Sequence, residues 1–150
     1  MTDLRIEKAH GDDAVLRDWQ YVHNVIIPTA TLSLDEARER SGRYHLEVAY
    51  LGDELVGCST VRPPTSEEPV VTVIARVLAA HRGQGFGTEL YARGLARARE
   101  LGGEGIETVV LESNPDGLRF ALRHGFVEVE RYLLPGDTVP WIALRLAAEC

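Results

Sequence analysis

Hydrophobic residues recur along the chain with two different periods, and the order of these periods predicts a mixture of strands and helices. Apolar runs that alternate with polar residues or continue unbroken predict strands at 4–8, 46–50, 55–61, 70–78, 106–111, 126–134 and 141–146. Apolar residues three and four positions apart predict helices at 12–26, from 33, from 85 to about 101, and at 115–124. The chain is therefore predicted to be of the α/β (α+β) class.

Local signals at the helix ends support these boundaries. Ser33 has a glutamate three residues later, which is the pattern of a capping box. Asn114 and Pro115 suit the N-cap and the first position of a helix, and Gly125 suits a left-handed stop. The nearly continuous β-branched run Val70–Leu78 is typical of a strand buried on both faces, so we expect it to be the central strand.

Length and composition indicate one globular domain over residues 1–150. The hydrophobic content of 45% is spread evenly, and no apolar run approaches the ~20 residues of a membrane span. No signal-peptide pattern is present near the start, so we expect a cytoplasmic protein without a membrane partner. Cys58 and Cys150 suggest neither a disulfide framework nor a metal site, because no Cys or His spacing suits zinc.

The net charge of −7 argues against nucleic-acid binding, which depends on a basic surface. An acidic protein instead suits a cationic partner. If the chain binds a polyanionic cofactor, the positive charge must be local. Arg82, Arg119, Arg123 and His124 could supply it.

A glycine-rich turn follows the predicted central strand and leads into a helix. Gly83, Gly85 and Gly87 alternate with other residues, so backbone N–H groups can converge on an anion at the positive end of the helix. Two nucleotide motifs do not fit. A triphosphate loop needs Lys and then Ser or Thr after its last glycine, and a dinucleotide fingerprint needs a third glycine where Thr88 or Leu90 stands.

The pattern Arg82-x-x-Gly85-x-Gly87, with Val77 five residues ahead of the arginine, resembles the pyrophosphate loop of the GNAT superfamily of N-acetyltransferases. A second segment, Asn114–Phe126, is similar to that superfamily's other motif, in which an Asn precedes a Gly-Phe pair. The resemblance covers the whole chain and is most specific from Val70 to Phe126. It implies the GNAT fold, a central mixed, mostly antiparallel sheet of about six to seven strands flanked by helices.

The resemblance also implies acetyl-CoA as the cofactor. Free backbone groups of the central strand would bind its pantetheine arm, the glycine turn would bind its pyrophosphate, and Asn114 could also reach it. Arg76 is unusual inside a strand, and we expect a salt bridge for it. The cofactor-binding residues are predicted to be Ala75, Arg76, Val77, Arg82, Gly83, Gln84, Gly85, Phe86, Gly87, Thr88 and Asn114.

The implied reaction is direct attack of a neutral amine on the thioester in a ternary complex. The position that is commonly a tyrosine acid is Ala121 here, so we select Tyr132 as the acid. The usual carboxylate of the central strand is also missing. Glu68, just before that strand, and Glu112, after the next, are the candidate bases; Glu67, His45 and a chain of waters stay open as alternatives.

The acceptor would lie, by resemblance, among the two N-terminal helices, the 27–32 loop and the last hairpin, with Trp19, Tyr21 and His23 as candidates. We therefore expect an N-acetyltransferase acting on a primary amine of a small molecule or a peptide, including a protein N-terminus or lysine. A homodimer is left open. Because of Ala121 and the missing carboxylate, the alternative is a GNAT-fold module that binds or senses an acyl-CoA without transferring it.

Overall fold

Strands and helices are interspersed along residues 4–147, which are the residues that the computed structural model describes. Within them lie seven strands and four α-helices. In chain order they are β1 (Arg5–Lys8), α1 (Asp13–Ile26), α2 (Leu34–Arg43), β2 (His45–Leu51), β3 (Glu54–Arg62), β4 (Val70–Val77), α3 (Phe86–Leu101), β5 (Gly105–Leu111), α4 (Pro115–Arg123), β6 (Phe126–Tyr132) and β7 (Trp141–Leu146). A short 3₁₀ turn, Ala79–His81, separates β4 from the glycine turn.

The seven strands form one mixed sheet in the order β1-β2-β3-β4-β5-β7-β6. Each neighbouring pair is antiparallel except β4 with β5, which is parallel. The predicted mixed, mostly antiparallel sheet with 70–78 at its centre is therefore confirmed.

The prediction of a strand over 126–134 was too long. Leu133 and Leu134 are exposed, and the turn that follows is closed by a hydrogen bond from the Asp137 N–H to the Leu134 carbonyl.

Helix ends form where the local signals predicted them. The Ser33 hydroxyl accepts from the Glu36 N–H at 3.1 Å, and the Glu36 carboxylate accepts from the Ser33 N–H at 3.0 Å, which completes the capping box. At α4 the Asn114 side-chain oxygen accepts from the Gly117 N–H at 3.1 Å. Both helices therefore begin with a satisfied donor.

The helices cover the two faces of the sheet. On one face, α1 and α2 pack over β2 and β3 around Trp19, Leu46 and Cys58, all fully or nearly fully buried. On the other face, α3 and α4 pack over β4, β5 and β7. Gly94 lets α3 approach β4 closely, since a Cβ there would overlap with Cγ1 of Val73.

The two parallel strands β4 and β5 pair over only part of their length. Their register joins Val70 to Gly105, Val71 to Ile106 and Thr72 to Glu107, and it ends there. Beyond this point β4 stays bonded to β3 as far as Val77, and β5 stays bonded to β7 as far as Leu111. The second halves of β4 and β5 therefore diverge and leave a gap in the middle of the sheet.

Candidate functional site

A cavity of about 760 Å³ occupies the gap between β4 and β5. Its walls are residues 74–77 of β4 and 108–111 of β5, and the first turns of α3 and α4 border it. Its volume lies within the range of about 300–1,000 Å³ that is usual for small-molecule sites. Because the strands do not bond each other here, the backbone groups on their facing edges can bind a ligand.

The glycine turn forms one side of the cavity. Gly83 and Gly85 have φ angles of +78° and +85°, a left-handed conformation that side chains disfavour. Gly85 is also the N-cap of α3 and provides no side-chain hydrogen bond, so the first N–H groups of the helix have no side-chain partner there. These donors stand at the positive end of a 16-residue helix, an arrangement that suits an anion.

Positive charge surrounds this turn despite the acidic composition of the chain. The Arg82 Nε donates to the Val77 carbonyl at 3.0 Å, and its guanidinium lies 3.6 Å from the Asp116 carboxylate. Arg119 also bonds Asp116, and Arg123 lines the cavity nearby. Exposed ion pairs of this kind contribute about 0–1 kcal/mol to stability. A ligand of higher charge can therefore replace Asp116 as the partner of these arginines.

His124 connects the helices on either side of the cavity. Its Nδ1 lies 2.8 Å from the Phe120 carbonyl and its Nε2 lies 3.1 Å from the Thr88 hydroxyl. A carbonyl can only accept, so Nδ1 carries the proton, and in the neutral ring Nε2 accepts from Thr88. The start of α3 and the end of α4 are thereby joined at the cavity. The sequence suggested His124 only as a local charge.

The predicted cofactor-binding residues come together in this cavity. Apart from Gln84, which is exposed in the turn, each of them lines it. The Asn114 oxygen is used in the cap of α4, which leaves its amide nitrogen as the available group. Arg76 differs from the expectation of a salt bridge, because no carboxylate among residues 4–147 lies within 4.0 Å of its guanidinium.

The three predicted catalytic residues do not line the cavity within the described part of the chain. Tyr132 is half-buried on β6; burial raises its pKa, Arg62 opposes this, and the charges of Glu130, Glu68 and Glu107 add to the rise. Glu68 is exposed in the turn before β4, and its charge contributes to the raised pKa of Tyr132. Glu112 lies 2.9 Å from Arg131, in an exposed ion pair.

Tyr91 is a phenol that lines the cavity and lies outside both sequence motifs. Burial raises its pKa to about 12, so it stays protonated at neutral pH. Its ring stacks on Phe120, with 5.1 Å between the ring centroids, and it belongs to the same buried cluster as Ala121. An aromatic residue on the apolar side of a helix is normally part of the core, so the sequence carried no signal for it.

Residues proposed for the acceptor are spread over α1. Trp19 is fully buried and its indole N–H donates to the Ser59 carbonyl at 3.3 Å, while Tyr21 is 57% exposed. His23 is buried and stacked on Trp19, and burial followed by the charge of Arg76 lowers its pKa to about 4. Ile27, at the end of α1, reaches the cavity.

Cys58 does not line the cavity. Cys58 is fully buried and burial raises its pKa to about 12; Cys150 lies outside the described residues. Residues 4–147 contain no group of three or more His, Cys, Asp or Glu side chains placed to hold a metal ion. No helix in this part of the chain is both long and apolar enough to span a membrane.

Comparison with known proteins gives a family match and a set of similar structures. Residues 12–126 match the model of the acetyltransferase (GNAT) family. The structure of yncA from Salmonella typhimurium, with its cofactor acetyl-CoA, is 18% identical, aligns 95% of this chain with 92% of that chain, and has a TM-score of 0.74.

Two further structures are similar over nearly their full length. NAA60 from Arabidopsis thaliana, in complex with a bisubstrate analogue, is 16% identical over 96% of this chain and 98% of that chain, with a TM-score of 0.77. Ribosomal-protein-alanine N-acetyltransferase from Brucella melitensis is 19% identical over 94% and 98%, with a TM-score of 0.70. No curated protein matches the sequence significantly. At these identities the structural similarity establishes the fold.

Proposed function

Because the chain belongs to the acetyltransferase (GNAT) family, we propose that it transfers an acetyl group from acetyl-CoA to a primary amine of a small-molecule or peptide acceptor. The transfer would occur by direct attack in a ternary complex. The observation that carries this proposal is the cavity in the gap between β4 and β5, with the glycine turn beside it.

The residues around the cavity fit acetyl-CoA. The uncapped N–H groups of α3 and the open turn at Gly83 and Gly85 suit the pyrophosphate, and Arg82 with Arg119 adds positive charge. The free edge of β4 from Ala75 to Val77 suits the amides of the pantetheine arm. These groups lie along one continuous cavity, which is the arrangement that a long cofactor requires.

When bound, acetyl-CoA supplies an activated thioester: the acceptor nitrogen forms a C–N bond as the C–S bond breaks, one ammonium proton passes to the thiolate, and another passes to solvent. The chain's own residues orient these partners. A backbone N–H of the Ala75–Val77 edge would donate to the carbonyl oxygen as negative charge develops on it, the kind of donor that is worth about 3–4 kcal/mol in other enzymes.

We assign the two proton transfers to Tyr132 and Glu68. Tyr132 carries a proton at neutral pH, as a phenol with a pKa near ~10 does, and burial raises that pKa further. Glu68 is exposed, so a proton that it takes from the acceptor can pass to solvent, and its charge contributes to the raised pKa of that phenol. Glu112 is the alternative base, although its carboxylate is paired with Arg131. Tyr91, on the cavity wall, is the alternative acid.

A non-catalytic module that binds or senses acyl-CoA is the second candidate. Ala121 is buried where the family commonly has a tyrosine acid, and the selected acid and bases lie away from the cavity wall. The expected rates favour an enzyme. General acid catalysis contributes about 10²–10⁴-fold, and a thiol with a pKa near ~8.5 is a good leaving group, so loss of one acid slows transfer without abolishing it.

The test combines binding and turnover. Calorimetry with acetyl-CoA measures binding, and thiol release across a panel of amines, with mass spectrometry of the product, measures transfer. We expect binding and an acceptor that gains one acetyl group. Binding without thiol release from any amine would favour the sensing module, and absence of binding would contradict both functions.

A further inference from the structure

A histidine and three arginines lie on elements that pack together at the α1 and α2 face of the sheet. Arg40 lies on α2, Arg62 ends β3, Arg76 is on β4 and His23 is on α1. Burial and then the neighbouring arginines Arg62 and Arg40, opposed by Cys58, lower the pKa of Arg76 to about 10. Burial and Arg62 likewise lower the pKa of Arg40. We call Arg40, Arg62 and Arg76 the arginine cluster.

The arginine cluster has no carboxylate partner among residues 4–147, where every ion pair within 4.0 Å involves other arginines or histidines. Glu36 has a minor favourable effect on Arg40, but its carboxylate is engaged in the capping box. The Nε of Arg62 is buried and has no hydrogen-bond partner. Arg76 is only 9% exposed.

Such an arrangement destabilises the protein when nothing is bound. A buried charge without a partner costs several kcal/mol, and like charges in low dielectric add to that cost. Exposed arginines of this chain, such as Arg93 and Arg145, are paired with glutamates at 3.0 and 2.8 Å. By contrast, Arg76 is buried and lines the cavity without a carboxylate partner among residues 4–147, and the guanidinium of the half-buried Arg62 lies 5.3 Å from the centre of the Tyr44 ring. Arg76 therefore indicates a site for an anion.

The register of the sheet shows which face this site is on. Arg76 is opposite Cys58 and Ile74 is opposite Thr60, so both side chains are on the α1 and α2 face. Arg76, Ile74 and Ile27 all line the cavity, which therefore continues through the gap in the sheet to that face. The glycine turn instead leads into α3, on the opposite face. The anion held by the arginine cluster is thus separate from the pyrophosphate.

The charges of Arg62 and of three glutamates act on the phenol of Tyr132. Burial raises the pKa of Tyr132, Arg62 lowers it, and the charges of Glu130, Glu68 and Glu107 raise it. Of the three glutamates, Glu107 is paired with Arg145. The cavity wall on the α1 and α2 face carries positive charge at Arg76. Glu68, the proposed base, lies outside that wall.

We propose that the arginine cluster binds an oxyanion of the acceptor, so that the acceptor is an amine carrying a carboxylate, of the amino acid type. The ammonium group of such a molecule would lie towards Glu68. This proposal rests on the proposed acetyl transfer and narrows its acceptor. The chain as a whole is negatively charged and suits cationic partners, but its surface at the arginine cluster is positively charged.

The first test compares α-amino acids with their α-amides, which keep the amine and side chain and lose the anionic charge. We expect the wild-type protein to prefer the acid in kcat/KM, and Arg62→Gln to reduce the acid-to-amide ratio by about 10- to 100-fold, the usual effect of a hydrogen bond to a charged group. The different basicity of the two amines affects all variants alike. Arg97→Gln, on the outer side of α3, is the matched control and should leave the ratio unchanged.

A second variant separates binding from a structural role. Replacing the unpaired Arg76 with Met removes a buried charge and keeps a similar volume, so Arg76→Met should raise the melting temperature and lose the preference for acids. If Arg76 is a structural residue, the variant melts at a lower temperature and keeps the ratio. Should Arg76→Met fail to fold, Arg62→Gln still decides the result.

Calorimetry with the amino acids alone distinguishes failure of this proposal from failure of the proposed function. Heat of binding in the wild-type protein that is lost in Arg62→Gln supports the anion site even if no acceptor is acetylated. Turnover of amides as efficiently as acids, with the ratio unchanged in Arg62→Gln, overturns the anion site and leaves acetyl transfer intact. Equal binding of amino acids to the wild-type protein and the variant, or no binding to either, also overturns it.

Discussion

Thr72 of β4 and Glu107 of β5 form the last pair between the two central parallel strands. Each strand continues beyond this pair, bonded only to its outer neighbour. The position of this last pair determines where the cavity begins, and it leaves 75–77 with backbone groups that no strand uses on that side. A ligand placed there can complete the sheet's hydrogen bonding in the way that a missing strand would.

Replacement of Gly85 with alanine is expected to weaken acetyl-CoA binding. Its φ of +85° is costly for a residue with a Cβ, by about 1–2 kcal/mol, so the turn will relax and misplace the first N–H groups of α3. Calorimetry should show affinity reduced at least about tenfold, which corresponds to about 1.4 kcal/mol.

Gly52 provides the control for that experiment. It has a φ of +61° in the β2–β3 turn, outside the cavity, and its Cβ position is equally open. Gly52→Ala should lower the melting temperature in a similar way and leave the affinity unchanged. Equal affinities for acetyl-CoA in the two variants would show that the glycine turn does not hold the cofactor.

Tyr132→Phe is expected to lower kcat by about 10²-fold, the lower end for a general acid, because the thiolate is a weak base. The KM for acetyl-CoA should change little. Tyr50→Phe is the control. It removes a 2.6 Å hydrogen bond from Tyr50, on β2, to Asp18, on α1, and the variant should keep its activity. If kcat is unaffected by Tyr132→Phe and falls in Tyr91→Phe, Tyr91 is the acid.

Acid is expected to destabilise the protein through His23. Its pKa is about 4 in the folded chain and 6.5 in the reference state, so the unfolded chain binds the extra proton first. The stabilising effect of the neutral ring is present above about pH 6.5 and is lost as the pH falls towards about 4. Between about pH 7 and about pH 5 the loss should be about 2 kcal/mol.

Urea unfolding at several pH values measures this dependence. His23→Gln should flatten the decrease in the free energy of unfolding over that interval, whereas His10→Gln, at an exposed position, should keep it. A wild-type free energy of unfolding that does not change between about pH 7 and about pH 5 would contradict the burial of a neutral His23 next to Arg76.

Gly94→Ala is expected to destabilise the fold by about 1–3 kcal/mol, because the new Cβ overlaps with Val73 and pushes α3 away from β4. Gly42→Ala tests the same change in a helix without that contact, since nothing lies within 4 Å of its Cβ position. That variant should be stabilised by up to about 1 kcal/mol, as alanine is the better helix former. Thermal unfolding of both proteins makes the comparison, and a stabilised Gly94→Ala protein would contradict the close packing.

Local signals in the sequence predicted the features that neighbouring residues determine. The capping box at Ser33, the cap at Asn114 and the start of α3 after Gly85 each depend on a few adjacent side chains, and all three are present. The end of β6 at Tyr132 was missed because Leu133 and Leu134 continue the apolar pattern, while the turn after them directs the chain away.

The sequence carries no such local signal for contacts between residues that are distant along the chain. That β4 and β5 separate after Thr72 depends on the pairing of each strand with its other neighbour, which no local pattern records. The charge environment of Arg76 combines side chains from α2, α3 and β3, which are distant in the sequence. The place of Tyr91 on the cavity wall and the link that His124 makes between α3 and α4 therefore became visible only in the folded chain.

Hydrogen–deuterium exchange with and without acetyl-CoA tests the central claim most directly, since it reports on the gap itself. We expect the cofactor to slow exchange in peptides covering 75–77 and 85–88, and to leave residues 70–72, already bonded to β5, unchanged. Protection confined to other parts of the chain, or binding without protection at 75–77 and 85–88, would contradict the assignment of this cavity to acetyl-CoA.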